Sequence, residues 1–338
     1  MDQVKLSVIM PTYNSDQYVE KSMFSLLRAL NQEYCEIICI DDGSQDETVE
    51  KLNRFAQKYS MIKVIANKHI GVSATRNIGI KLAIGDYVVF VDSDDLFEPN
   101  FYENFNKQLK DKPDIILEDV KGIDREKFKT VLTDHERLEV MKINLRFGKV
   151  SLSWGIGSRI YNRSLLQKNN LLFDSSIIVS EDMLFIMEAI SKADSILISP
   201  QRFYHLQGSH TLFRFNPQNL QSEVHFRRRV ASLMNDYHDS LARDINNRTK
   251  LTGFIFLIDS YFGPLYNKKK LTLCETTKNM KSVAEDYFYD TSFSEKKFDK
   301  FLSRKAPTFR RLLRMQQYGM VLILNRMIDS AIKVDRGD

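Results

Sequence analysis

The chain has 338 residues, is 43% hydrophobic and 28% charged, and carries a formal net charge of +5. Such a length supports a sizeable core and two or three domains, and the composition is that of an ordinary soluble globular protein. Three cysteines, an odd number in a long chain, imply no disulfide framework, and with only six scattered histidines they give a zinc site poor support.

From its start the chain alternates strand and helix patterns. Leu6 to Met10 reads as a strand ending at Pro11, followed by a helix from about Asp16 with Val19, Met23, Leu26, Leu27 and Leu30 at helical spacing. Cys35 and Cys39 flank Ile37 and Ile38 around a second strand, Glu36 to Ile40, and are expected to be buried there. Ser44 to Glu47 matches a capping box, opening a helix with Val49, Leu52, Phe55 and Ala56 on its apolar face. Ile62 to Ala66 is a third short strand. A loop at Gly71 leads into a helix through Ile78, Leu82 and Ala83. Tyr87 to Val91 is the fourth strand, apolar without alternation and therefore buried on both faces. Alternation at this spacing predicts an α/β fold whose mostly parallel sheet is flanked by helices.

Between Lys110 and about Lys149 the periodicity weakens, leaving one strand at Ile115 to Leu117. Ser151 to Ile160 holds the only tryptophan, Trp154, among glycines. After about Phe215 the chain becomes helical in propensity, charged and poor in strand signals. From Thr308 to Ile332, the side chains Phe309, Leu312, Leu313, Met320, Ile323, Leu324, Met327 and Ile328 fall on one helical face, with Arg310, Arg311 and Arg314 off it. Such a stripe ordinarily packs on a core or a second copy of the chain, while the arginines also suit the inner face of a membrane. No apolar run reaches transmembrane length and the first residues lack a signal-peptide pattern, so a reducing cytoplasm is the expected location.

Chemistry concentrates in three loops that follow strands. Pro11-Thr12-Tyr13-Asn14 follows the first, Asp41-Asp42-Gly43-Ser44 the second, and Asp92-Ser93-Asp94-Asp95 the fourth. In a doubly wound sheet such loops converge on one crevice. The Tyr13 ring can stack on a base, and a carboxylate can accept a hydrogen bond from a base N–H. Three crowded carboxylates repel one another, and a divalent cation shared with a ligand's phosphates, Mg²⁺ or Mn²⁺, resolves that repulsion. No glycine-rich phosphate loop of the G-x-G-x-x-G or Walker type is present, which counts against dehydrogenases and P-loop enzymes. Diphosphate charge then falls to a metal and to side chains, with Arg76 a candidate.

Taken together, Ser7-Val-Ile-Met-Pro-Thr-Tyr-Asn14, Ile40-Asp-Asp-Gly-Ser44, Gly71-Val-Ser-Ala-Thr-Arg-Asn-Ile-Gly79 and Val91-Asp-Ser-Asp-Asp95 resemble the signature of family 2 glycosyltransferases. The likeness continues through Trp154-Gly-Ile-Gly-Ser-Arg-Ile-Tyr161, Ser180-Glu-Asp-Met-Leu-Phe185 and Tyr204 to Thr211, covering roughly residues 5 to 215. It implies a metal-dependent, inverting enzyme of the Rossmann-like GT-A fold, similar to bacterial enzymes of cell-surface polysaccharide or capsule synthesis. The implied organisation is a nucleotide-sugar half at 1–110, an acceptor half with the catalytic base at 111–215, and a helical C-terminal region at 216–338.

Residue by residue, the resemblance implies a donor site built from Pro11, Thr12, Tyr13, Asp42, Arg76, Asp92 and Ser93. Thr12 and Tyr13 would line the nucleoside pocket, Asp42 would meet the uracil edge, and Arg76 would lie near base and phosphates. Asp94 would contact the metal directly, with Asp95 sharing or supporting that role. Asp182 would be the catalytic base, while Glu181, His205 and Trp154 are further candidates. One position departs from the family pattern: His69 stands where asparagine is frequent, two residues before Gly71. The expected partners are a nucleotide-sugar and a glycan or lipid-linked glycan acceptor, with no nucleic acid. Two rivals are a nucleotidyltransferase and a sugar-nucleotide-binding scaffold without turnover. The loop Pro11 to Asn14 lacks the glycine- and arginine-rich character of the former.

Overall fold

The computed structural model describes residues 4–118, 131–145, 156–199, 201–207, 215–301 and 305–336, with side chains omitted at 299–301 and 329–336. Trp154 and the stretch from 208 to Thr211 lie outside the described residues. The chain divides into two units, Met1–Ser175 with Glu181–Ser209, and Ser176–Ser180 with His210–Asp338.

The first unit follows the predicted alternation. Its elements are β1 (Leu6–Thr12), α1 (Val19–Ala29), β2 (Cys35–Asp41), α2 (Thr48–Lys58), β3 (Ile62–Ala66), α3 (Val72–Leu82) and β4 (Tyr87–Phe90). There follow β5 (Leu96–Phe97), α4 (Phe101–Lys107), β6 (Ile115–Leu117), α5 (Asp134–Asn144), β7 (Arg159–Asn162), α6 (Arg163–Lys168), α7 (Glu181–Lys192), β8 (Ile196–Ile198) and β9 (Tyr204–His205). Seven strands form one sheet in the order β3-β2-β1-β4-β7-β6-β8, while β5 and β9 pair separately. β1 to β4 are mutually parallel and only β7 runs against its neighbours.

Every residue of β1, β2 and β4 is buried, as the unalternating apolar runs predict. Each buried Val, Leu or Ile there contributes about 1.5–3 kcal/mol from apolar surface removed from water. Cys35 and Cys39 are buried free thiols, and burial pushes both up to about 12. Pro11 sits inside a central strand, where a missing N–H ordinarily breaks the ladder. The position tolerates it because Pro11 shares the parity of Ile9, whose carbonyl accepts from Val91 of the β4 side. Pairing of β1 with β4 ends at Ile9–Phe90, so the absent donor faces a place where no ladder continues.

Two expectations fail. The Ser44–Glu47 capping box does not form, because the Ser44 hydroxyl donates to Asp41 Oδ1 at 2.5 Å and accepts from the Asn14 N–H at 2.9 Å. Helix α2 starts at Thr48 instead, whose N–H donates to Asp46 at 3.0 Å.

The second failure is in the other unit, which contains α8 (Asn219–Asn235), α9 (Ser240–Leu257), a π-helical turn (Ile258–Phe262), α10 (Gly263–Asn267), α11 (Leu273–Asp286), α12 (Ala306–Arg314) and α13 (Tyr318–Arg336). The stripe from Thr308 is not one helix: the chain breaks at Gln316, whose φ is +56°, and α13 restarts in a different phase. Tyr318, Val321, Leu322 and Asn325 turn inward, while Met320, Ile323 and Met327 remain exposed. Arg310 is buried and donates to the Phe293 carbonyl at 3.0 Å, contrary to its expected outward position. Among the described residues no helix is long and apolar enough to cross a membrane.

Candidate active site

In chain order the sheet grows outward from β1 to β3 and then resumes on the other side of β1 with β4. The reversal lies between β1 and β4, and at such a point open α/β sheets bind ligands beyond the carboxyl ends of their strands. The three predicted loops meet there. The Ser15 and Ser93 hydroxyls, 2.7 Å apart, tie the loop after β1 to the loop after β4.

On one side the turn after β2 is organised by carboxylates. Pro11 and Thr12 end β1, and the Thr12 hydroxyl donates to Asp41 Oδ1 at 3.0 Å. Asp41 Oδ2 collects the N–H groups of Gly43 and Ser44 at 3.0 and 2.8 Å, so Asp41 shapes the turn. Asp42, also buried, reaches the loop before α3. Its Oδ1 accepts from Ile70 N–H at 2.7 Å and its Oδ2 from Gly71 N–H at 3.0 Å, with His69 Nδ1 2.9 Å from Oδ2. The half-exposed Tyr13 ring lies 4.6 Å from the His69 ring, inclined by 31°. The departing residue thus stands directly beside the expected base platform.

On the other side Arg76 is the hub. Helix α3 lies close to the sheet because Gly79 abuts Ile9, where a Cβ would collide with the isoleucine side chain. One turn earlier, Arg76 is only 4% exposed and its guanidinium lies over the Phe173 ring at 5.3 Å. It donates to Asp92 Oδ1 at 2.9 Å and to Glu181 Oε1 at 3.0 Å. Burial works against its charge, but Asp92, Glu181 and Asp182 outweigh burial and raise its pKa. Phe173 stacks on Phe185 with ring centroids 4.1 Å apart, and both meet Phe90 edge-on. These rings hold the start of α7 near the end of β4.

Glu181 and Asp182 open α7, following Ser180 at a left-handed φ of +68°. Burial raises the Glu181 pKa, and Asp182 adds to the rise while Arg76 opposes it. Asp182 Oδ1 accepts the Met183 N–H at 2.7 Å. Arg159 of β7 lies buried within electrostatic reach of Asp182 and Glu118, bonded to Asn144 Oδ1 at 2.9 Å and 2.6 Å. No spacing signal in the sequence points to Arg159, because its partners come from separate elements.

Asp94 is half-buried in the turn after β4. Asp95 is buried, with Oδ2 accepting from the Tyr204 hydroxyl and Oδ1 from the Gln207 N–H at 2.9 Å. Burial pushes its pKa up to about 6, against those two donors and with help from Asp92 and Asp94. His205 lies on β9 with Nε2 2.5 Å from Glu98 Oε1. Among the described residues no three His, Cys, Asp or Glu side chains form a ready-made metal cage. A magnesium-type ion does not need one, since it is held by one or two carboxylates together with waters and substrate phosphates. The Asp92–Asp94 pair fits that donor set.

The sequence matches Glycosyl transferase family 2 over residues 7–171. It is 32% identical over 213 residues to a poly(ribitol-phosphate) beta-glucosyltransferase of Bacillus spizizenii, an alignment spanning 60% of this chain but only 32% of that protein. The chain thus covers about a third of that relative's length. The uncharacterized glycosyltransferase YibD of Escherichia coli is 30% identical over 253 residues, 70% of this chain and 73% of that one. Among solved structures, residues 1–349 of Staphylococcus aureus TarS in complex with UDP-GlcNAc match with a TM-score of 0.62 at 20% identity, over 97% of this chain and 92% of that one. That likeness is one of fold, and the fold is GT-A. With the strand-end motifs, the match over residues 7–171 and a relative covered over 73% of its length, the chain belongs to glycosyltransferase family 2.

Proposed function

We propose that the chain transfers a sugar, with inversion, from a UDP-sugar to a hydroxyl of a glycan or lipid-linked glycan acceptor in cell-surface polymer synthesis. The observation that carries this reading is Arg76, whose single buried guanidinium is shared by Asp92 of the β4 exit and Glu181 of α7. Acidic groups suited to the leaving side and to the attacking side of one displacement therefore sit in one charge cluster. Inversion requires the acceptor hydroxyl to attack opposite the departing nucleotide, and Asp182 takes its proton as attack proceeds. Tyr13 supplies the stacking face for the base, flanked by Thr12 and by the loop that Asp42 organises. Mg²⁺ or Mn²⁺, when bound, neutralises charge growing on the diphosphate. Asp94, with Asp92, is the group to hold it, and Asp95 supports the turn.

In this reading residues 1–110 form the donor half, 111–215 the acceptor half, and 216–338 a helical region for acceptor, partner or membrane contact. The relatives' named activities and the UDP-GlcNAc bound to TarS make UDP-glucose and UDP-GlcNAc the first donors to try. Exposed Met320, Ile323 and Met327, in a unit that also exposes Arg311 and Arg314, support peripheral contact with an anionic bilayer. Met320→Glu with Met327→Glu should abolish co-sedimentation with phosphatidylglycerol vesicles; unchanged binding removes the membrane reading.

The functional reading is tested by a nucleotide-release screen of UDP-, GDP- and dTDP-sugars with Mg²⁺ or Mn²⁺. Metal-dependent release of UDP from one UDP-sugar is the expected result. Absence of release from every donor, with and without polymer acceptors, would overturn it.

A further inference from the structure

We infer that Tyr204 is a positioning residue: its hydroxyl holds Asp95, and through Asp95 it fixes the turn that aims Asp92 and Asp94 at the donor's diphosphate. The inference rests on the proposed transferase reading and deepens it.

Asp95 is the keystone of that turn. Its N–H donates to the Asp92 carbonyl at 3.0 Å, closing residues 92–95, and its carbonyl accepts the Ser22 hydroxyl of α1 at 2.8 Å. Its two carboxylate oxygens take the Tyr204 hydroxyl and the Gln207 N–H. A buried carboxylate with no donor is costly, so these two bonds add to the Ser22, Ser15–Ser93 and Arg76 ties in setting where the turn rests. The Asp92 and Asp94 side chains, on either side of Ser93, inherit that setting.

Tyr204 is suited to the task because it is immobilised from several directions. It is 3% exposed, and its N–H and that of Phe203 donate to Glu118 Oε1 at 3.0 and 2.9 Å. Its backbone pairs with Phe97 and its ring meets the Phe97 ring edge-on at 5.7 Å. Gly157 lies so close that a Cβ there would enter the Tyr204 ring. The next ladder pair is Leu96 with His205, and on the solvent side His205 Nε2 lies 2.5 Å from Glu98 Oε1. The hydroxyl is thus anchored by residues near 97, 118 and 157, none of which is in the turn that it steadies.

The test is Tyr204→Phe, which keeps the ring and removes only the donor. Amide hydrogen exchange across residues 91–97 should quicken at least tenfold, while residues 6–12 of β1 remain protected. UDP affinity in the presence of Mn²⁺ should fall about tenfold by calorimetry, the scale of a lost bond to a charged group. UDP affinity without metal should stay within twofold. Gly157→Ala, whose Cβ would collide with Cε2 and the hydroxyl-bearing Cζ of the ring, must displace that hydroxyl and should give the same pattern. A purely structural role predicts a lower melting temperature with both UDP affinities unchanged, and that result overturns the inference, as does unaltered exchange at 91–97. If the unmodified protein binds no UDP under either condition, the transferase reading falls, and the exchange measurement alone still decides whether Tyr204 fixes the turn.

Discussion

Arg76 donates to Glu181 Oε1 at 3.0 Å across 105 positions of sequence, joining the third helix of the sheet to the helix that carries the proposed base. The same guanidinium holds Asp92 at 2.9 Å, and with the arginine 5% exposed, Glu181 14% and Asp92 33%, water screens the Glu181 contact little and the Asp92 contact in part. A planar fork can serve two carboxylates at fixed angles, whereas an ammonium is a point charge. Arg76→Lys is therefore expected to keep the fold but lower kcat/KM by about tenfold or more. Arg76→Ala leaves two carboxylates without compensation, a change that costs about 3–5 kcal/mol for a buried pair. Urea denaturation of both variants, beside their turnover, separates the effects. Equal stability of Arg76→Ala and the unmodified protein would refute the hub role.

The adjacent acids of α7 are assigned different tasks, and substitution distinguishes them. Asp182→Asn keeps the acceptor for the Met183 N–H and removes the base. It should lower kcat by about 10²–10⁴-fold, the usual weight of general base catalysis, with UDP affinity unchanged. Glu181→Gln still accepts from Arg76 and relieves repulsion with Asp182, so its loss should be under about tenfold. The reverse ranking would move the base to Glu181. Undiminished turnover in both would point to a binding protein whose apparent turnover has another source.

The donor platform makes a third prediction. Stacking of a base on an aromatic ring is worth about 1–3 kcal/mol by alanine substitution. Tyr13→Ala should therefore weaken UDP binding by about 5- to 150-fold, and Tyr13→Phe should stay within about twofold. His69→Asn removes the ring that lies beside Tyr13 and should cost less than Tyr13→Ala. Fluorescence or calorimetric titration with UDP reads all three; a harmless Tyr13→Ala would place the base elsewhere.

What the sequence discloses follows the range of each interaction. β1 to β4 and the loops at their ends were legible because strand and helix periods and turn residues act within a few positions. The convergence of Tyr13, Asp42 and Asp92 follows from parallel topology alone. Arg76 and a metal-holding role for the Asp92–Asp95 carboxylates follow from the charge a diphosphate brings and the absence of a phosphate loop. Asp182 as base and Asp94 as the direct metal contact come instead from the family resemblance. The Asp95–Tyr204 bond spans 109 positions and the Arg159–Asn144 bond 15 positions across separate elements, so neither has a local signature. Ser44 shows the opposite failure: its capping-box match is genuine as a pattern, yet Asp41 and Asn14 compete successfully for its hydroxyl. In α13 the period was right and the phase wrong, because a left-handed residue at Gln316 resets the helix.

The last prediction concerns the helical unit. Glu223 of α8 is buried, and burial pushes its carboxyl up to about 8 despite opposing help from Arg227 and the Tyr289 hydroxyl. That hydroxyl is 3.4 Å from Glu223 Oε1, while the Arg227 guanidinium is drawn to Thr249 Oγ1 at 2.7 Å and Asn246 Oδ1 at 2.8 Å. In the unfolded chain the carboxyl titrates near the ordinary value of about 4.3. Between those values the unfolded state has released the proton and the folded state retains it, so stability falls as pH rises. The contribution is fully present below about pH 4, is lost progressively up to about pH 8, and is flat above. The ceiling on the slope is about 1.4 kcal/mol per pH unit. Glu223→Gln cannot ionise and should remove the Glu223 share of the slope, leaving that of Asp95 and Glu181. Its melting temperature should approach or exceed that of the unmodified protein at pH 8, with the difference shrinking or reversing at pH 5. Melting curves at pH 5, 6.5 and 8 measure this directly. A variant whose deficit grows with rising pH would mean that Arg227 keeps Glu223 ionised and that the pair, rather than a neutral acid, holds α8 to α9.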